Sequence, residues 1–271
     1  MMASVGKPFS LNKALFTPRL YRKIFDIWFE GIPATATIAP ESSLKKWFGI
    51  AGQEEREQFD KICRASANQA LESIRDWTFP AVPDYATEIA FSQALSAPFI
   101  AEIQEAEVQM GDDVVQITPS ETALSLLLLL DQYPRNIYRK DQRLIYGHYD
   151  ILSRSLCRAI LQMQPRPDLH PRFRQSTAYR WWFCMPLMHS EHLEDHDIFT
   201  KLNSEMASDI DEAGDNEAMK FMKMGEEFEE KHRVILEQFG RYPYRNKVMG
   251  RESTEEEERW LKEGGQTFGT S

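Results

Sequence analysis

Residues 118–139 read TPSETALSLLLLLDQYPRNIYR, and the fold turns on how that stretch is read. Thr118 is a helix N-cap, Pro119 fits the first helical position, and Glu121 stands three residues after the cap, the spacing of a capping box. Ala123, Leu124 and Leu126 to Leu130 then form an apolar run with no polar face, which predicts a helix buried on all sides. The run is far shorter than the about 20 apolar residues needed to cross a bilayer. At Asp131 the character changes at once: Asp131, Gln132, Tyr133, Pro134, Arg135 and Asn136 follow directly. Polar and charged groups beside so apolar a segment must be paired, so they form either a structural network or a site.

Working outward, apolar residues recur at helical spacing in nearly every long segment. Residues 1–23 are basic and read as an irregular arm, followed by a short aromatic element at residues 24–29. Leu44 to Phe48 carries a second Trp-Phe pair. A long helix is expected from about Gln53 to Trp77, with Phe59, Cys63, Ala67, Leu71 and Ile74 on one face. Another is expected from Ala86 to Glu107, kinked or split by Pro98. A turn and a short extended piece, VVQI, lead into the buried helix. Beyond it come a helix over Ile145 to Met163, an aromatic segment from Phe173 to Cys184, and a helix reaching about Asp209. An acidic loop spans 209–216, a helix covers Ala218 to Phe239 with Gly240 as its C-cap, and a last short helix opens at Ser253-Thr254. No strand–helix alternation and no repeat period of 30–50 residues are visible. The fold class is all-α, with one helical domain over 24–262 and a fraying tail at 263–271.

The 271 residues suffice for a large core, and 42% hydrophobic with 27% charged residues is a soluble, globular composition. A net charge of −10 and a pI near 5.2 argue against general nucleic-acid or anionic-membrane partners. Cys63, Cys157 and Cys184 are far apart and lack any CxxC pairing, as expected of buried thiols in a reducing compartment. Without a secretory signal near Met1, the expected location is cytoplasmic.

Three blocks carry a resemblance: LLLLLDQYPRNIYR (126–139), FCMPLMHSEHLEDH (183–196) and KHRVILEQFGRYPYRNKVMGRESTEEE (231–257). Together they closely resemble the signatures of a widespread family known only as a domain of unknown function. Trp28-Phe29, Trp47-Phe48 and Phe59-Asp60 match weaker landmarks, so the likeness spans roughly 24–262. The chain departs from the family pattern at about 80–115, where it carries an insertion, and Tyr133 stands where Phe is usual. The resemblance implies a tetratricopeptide-like stack of antiparallel helix pairs and brings no established activity.

The polar members of the three blocks are the candidate site: Asp131, Arg135, Asn136, His189, Glu191, Arg241, Arg245 and Asn246. Guanidinium forks beside Asn and His suit a carboxylate or phosphate ligand. The same groups could instead satisfy one another as corner locks, since Tyr133-Pro134-Arg135-Asn136 is echoed by Tyr242-Pro243-Tyr244-Arg245-Asn246. HSEHLEDH and Glu229-x-x-His232 offer metal-ligand spacings, but the ligand set is short of the three or four a site needs, so no metal and no cofactor are expected. Tyr133, Tyr138, His189 and His232 are acid–base candidates only if they line a cleft. Tyr179, Trp181, Trp182 and Phe183, with Met185 and Met188, read as core. Two functions remain. One is a binding or scaffold module for a protein or small anionic ligand. The other is a small-molecule hydrolase, lyase or isomerase in which Arg135 and Arg245 hold an anion and His189 or Glu191 moves a proton.

Overall fold

The computed structural model describes residues 9–79, 84–106 and 116–268, and every regular element among them is helical. α1 (Pro18–Trp28) starts where Pro18 occupies the first position and the Thr17 hydroxyl accepts from Leu20 N. It buries Tyr21, Ile24, Phe25 and Trp28, one face at helical spacing. The irregular arm expected over 1–23 is thus corrected from Pro18 onward. Before α1, Phe16 is buried and Phe9 packs on Trp77 at 4.9 Å. The apolar side chains supply the reason: they have a core to enter. α2 (Glu41–Trp47) brings Trp47 parallel to Trp28 at 6.0 Å, and α3 (Gln53–Ile74) turns Phe59, Cys63, Ala67, Leu71 and Ile74 inward.

α4 (Tyr85–Ala106) runs unsplit through Pro98. The proline removes only one helical donor, the one the Ala94 carbonyl would receive, and buried Leu95, Phe99 and Ile103 hold both sides of it. Residues 80–83 and 107–115, including the first half of the expected VVQI piece, lie outside the described residues.

α5 (Pro119–Ile137) is the axis of the molecule. The Thr118–Glu121 capping box is formed, every residue from Glu121 to Pro134 is buried, and α1, α3, α4 and α7 all pack on it. The helix does not end at the Leu run: it continues through Pro134, and the Arg135-Asn136 pair is helical. Each of its fully buried leucines is worth roughly 1.5–3 kcal/mol against exposure, enough to override the cost of one interrupted backbone bond.

After α6 (Gln142–Leu144), residues Ile145–Tyr149 make a π-helical turn before α7 (Asp150–Ile160). α8 (Thr177–Arg180), a 3-10 turn at Trp181–Phe183 and α9 (Met185–Met188) bury the aromatic segment, with Trp182 edge-on to Trp28 and Trp47 at 5.0 and 4.9 Å. α10 (Leu193–Ala213) and α11 (Asn216–Phe239) form a hairpin over Gly214-Asp215. The expected acidic loop at 209–216 is therefore mostly helix. Asp209 is taken up by Arg174 and Arg180, and Gly214 with φ +72° ends α10. α11 stops at Gly240, φ +67°, as expected. α12 (Asn246–Met249) and α13 (Glu255–Lys262) close the chain. Within the tail, the Phe268 ring lies 3.6 Å from that of His232.

The hairpin meets the aromatic segment at Gly225. A Cβ there would fall 2.2 Å from Cη2 of the buried Trp181. Gly225→Ala is expected to destabilise the protein by about 1–3 kcal/mol in urea denaturation, although alanine favours a helix by roughly 1 kcal/mol. An unchanged or raised midpoint would show that Trp181 gives way freely.

Candidate functional site

The C-terminal turns of α5 start the site. Asp131 accepts from Gln132 Nε2 at 2.5 Å and faces His189 Nδ1 at 2.8 Å. Arg135, one turn later, bridges Asp131 at 3.7 Å and Asp150 at 2.8 Å. Burial pushes the Asp131 carboxyl up, but His189 and Arg135 outweigh it and hold it at about 2. Burial and the Arg135 charge push the His189 imidazole down against the pull of Asp131, so the ring is neutral near pH 7 and donates Nδ1–H to the carboxylate.

Arg245 reaches the other side of His189, donating from Nη1 to its carbonyl at 3.0 Å. The two Arg-Asn segments that echo each other in sequence thus converge on one residue, although one is helical and the other a 3-10 turn, Pro243–Arg245. Glu191 accepts a two-pronged ion pair from Arg251, at 2.7 and 2.9 Å, and a third bond from Tyr242 N at 2.8 Å. Burial raises its carboxyl pKa, and Arg251 and Arg245 more than reverse the shift.

A cleft of about 950 Å³ opens where these parts meet α4, α7 and α10. Of the sequence candidates, Glu191, Arg241 and Arg245 line it. Asp131, Arg135 and His189 stand apart from its lining. Asn136 donates to the Gln132 carbonyl at 3.0 Å within its own helix, and Asn246 to Ser253 Oγ and Glu257 at 3.1 and 3.2 Å. Arg241 forks onto Glu257 at 2.7 and 2.8 Å. Those two asparagines and Arg241 are locks, whereas Arg245 is free to do more. Tyr133, Tyr138 and His232 do not line the cleft. His196 has both ring nitrogens engaged, with Glu229 at 2.6 Å and the Ser190 carbonyl at 3.1 Å. Among the described residues, no three His, Cys, Asp or Glu side chains converge as a metal-binding group.

Sequence reasoning passed over the opposite wall. Glu88 of α4, fully buried, receives Arg154 Nε and Nη2 at 2.9 and 2.7 Å and Arg158 Nη1 at 2.8 Å. Arg158 also pairs with Asp195, which accepts from Ser190 Oγ at 2.6 Å. His192 Nε2 lies 3.6 Å from Glu88, and its ring meets Tyr85 edge-on at 5.6 Å. The available signal was Arg154 and Arg158, one turn apart on a helix with Ile151, Leu152, Leu156 and Ile160, which demands a buried acid opposite. The π-helical turn presents Tyr146 to the cleft, and such turns recur at functional sites.

The pairing leaves one imbalance. Arg154, Arg241 and Arg251 each have a carboxylate, but Arg245, only 5% exposed, has none within 4 Å among the described residues. Its guanidinium lies over Tyr146 and Tyr242, at 4.3 and 4.5 Å from the ring centres, and its Nε has no partner. Burial opposes its charge, while Tyr244 and the more distant Glu191 and Asp150 sustain it.

The family model described as a bacterial protein of unknown function, DUF924, matches residues 24–265. The chain belongs to this family. The chain is also similar to a solved structure, that of the protein of unknown function ATU0120 from Agrobacterium tumefaciens. That protein is 24% identical, with a TM-score of 0.47, over 91% of this chain and 98% of that one. No curated protein matches the chain.

Proposed function

We propose that the protein binds a small organic anion in the cleft, with Arg245 as the anion's principal partner. The observation that carries this reading is the buried guanidinium of Arg245 with no carboxylate within 4 Å among the described residues, in a cleft whose other arginines are already neutralised. A buried charge lacking a counterion is costly, and an arriving carboxylate or phosphate relieves that cost. The cleft volume is in the range of small-molecule sites. Supporting the catalytic alternative, His192 is the cleft histidine, within 3.6 Å of Glu88. Proton transfer would then fall to His192 in place of His189, with Glu191 held by Arg251 as a fixed charge. The α10–α11 hairpin supports a tetratricopeptide-like pairing of antiparallel helices. Cytoplasmic location belongs to the same proposal, resting on three buried cysteines without disulfides; no described helix is long and apolar enough to cross a membrane.

The test is calorimetric titration of the protein with inorganic phosphate, propionate and 3-phenylpropionate. At least one binds, and Arg245→Met weakens it about 10- to 100-fold, the loss of a charge-assisted hydrogen-bonding partner. Because Glu191 keeps its ion pair with Arg251 and no carboxylate lies within 4 Å of Arg245 among the described residues, the variant is expected to stay folded, which a cooperative thermal transition checks. Absence of binding by all three probes, or equal binding by the folded variant, overturns the proposal.

A further inference from the structure

We infer that the ligand carries a single carboxylate on an apolar, ring-sized body; this rests on the anion-binding reading above and narrows it. The charges in the cleft set the head group. Four guanidiniums, those of Arg154, Arg241, Arg245 and Arg251, line the cleft together with four carboxylates, those of Asp84, Glu88, Glu191 and Glu194. Only Arg245 among these arginines lacks an ion pair, whereas Asp84 and Glu194 also have none among the described residues. One unit of negative charge therefore meets one available cation. A second unit, as on a phosphate monoester, a dicarboxylate or a nucleotide, meets the field of uncompensated carboxylates and is repelled.

The space sets the body. About 950 Å³ is many times the volume of a bare anion, given that a water molecule occupies roughly 30 Å³. Apart from His192, most of the remaining wall is apolar or aromatic: Tyr85, Ile151, Leu193, Leu236 and Met249 face the same cleft as Arg245. Water confined against such a surface is displaced favourably by a hydrocarbon or aromatic group. Tyr146 and Tyr242 already stack on Arg245 and keep its fork in place, so the ligand meets a preorganised donor.

The experiment compares four probes on the full chain: 3-phenylpropionate, propionate, 3-phenylpropanamide and phenyl phosphate. The expected order has 3-phenylpropionate tightest, with propionate, lacking the ring, and the uncharged amide each at least about 10-fold weaker. Phenyl phosphate is weaker than 3-phenylpropionate at pH 7.5, where it is a dianion. Met249→Ser, at a half-buried wall position, weakens 3-phenylpropionate more than propionate and so narrows the gap between them. If propionate and 3-phenylpropionate bind alike, or phenyl phosphate binds tightest, the inference about the ligand fails while anion binding stands. If none of the anions binds, both fail.

Discussion

Glu88→Gln lowers the unfolding free energy at pH 7 by about 3–5 kcal/mol, the cost of leaving a buried ion without its partner. Arg154 is buried and Glu88 is its one ion-pair partner among the described residues, whereas Arg158 keeps Asp195. Burial works against ionisation of Glu88, and Arg154, Arg158 and His192 overcome it, holding its carboxyl far below the usual range. Its contribution is thus fully present above about pH 4.5, so pH 7 measures all of it. The expectation is checked by urea denaturation of Glu88→Gln, Arg154→Met and the double variant. Glu88→Gln strands Arg154, and Arg154→Met leaves Glu88 with Arg158 as its remaining guanidinium, so the double variant is more stable than the sum predicts by about 2 kcal/mol or more. Additive losses, or a single loss below about 1 kcal/mol, would show that the charges are solvated after all.

Acid weakens the fold well before its carboxylates titrate. Burial pushes the His148 imidazole down to about 4, against the help of the Ile74 carbonyl, and His232 down to about 3, against that of the Phe228 carbonyl. In the unfolded chain both take up protons near pH 6.5. The folded-state values are depressed, so the neutral rings stabilise the native state fully above about 6.5, and that stability is lost as pH falls toward the folded values. Between pH 7 and 4.5 each histidine removes about 2–3 kcal/mol, and His189, shifted the same way, adds to the loss. The depressed carboxylates Glu121, Asp131, Glu191 and Glu257 lose their contribution only below about pH 4.5, so the two windows separate. Denaturation midpoints at pH 7, 6, 5 and 4.5 measure the slope. His148→Gln, which can still donate to Ile74, flattens it; a slope unchanged in that variant assigns the acid loss elsewhere.

What could be read from the chain was what its local chemistry decides. The Thr118–Glu121 capping box, the Gly240 stop and the one-sided faces of α3 and α11 are each set within a few neighbouring residues. The extension of α5 through Pro134 was not legible, because tertiary burial of its last turns outweighs the proline. Asp209 looked like loop chemistry, yet Arg174 and Arg180, about thirty residues earlier, take it into the core. Of the cleft, Glu191, Arg241 and Arg245 were visible. The Glu88 wall was hidden because an acid in the first turn of a helix reads as a solvated end, and only the distant arginines of α7 change its meaning.

α5 comes from the middle of the polypeptide and is enclosed by α1, α3 and α4, made before it, and by α7, made after. During synthesis its leucines therefore leave the ribosome with only part of their cover. The nascent chain exposes that segment until some twenty further residues have emerged, the interval of its synthesis in which aggregation is most favoured.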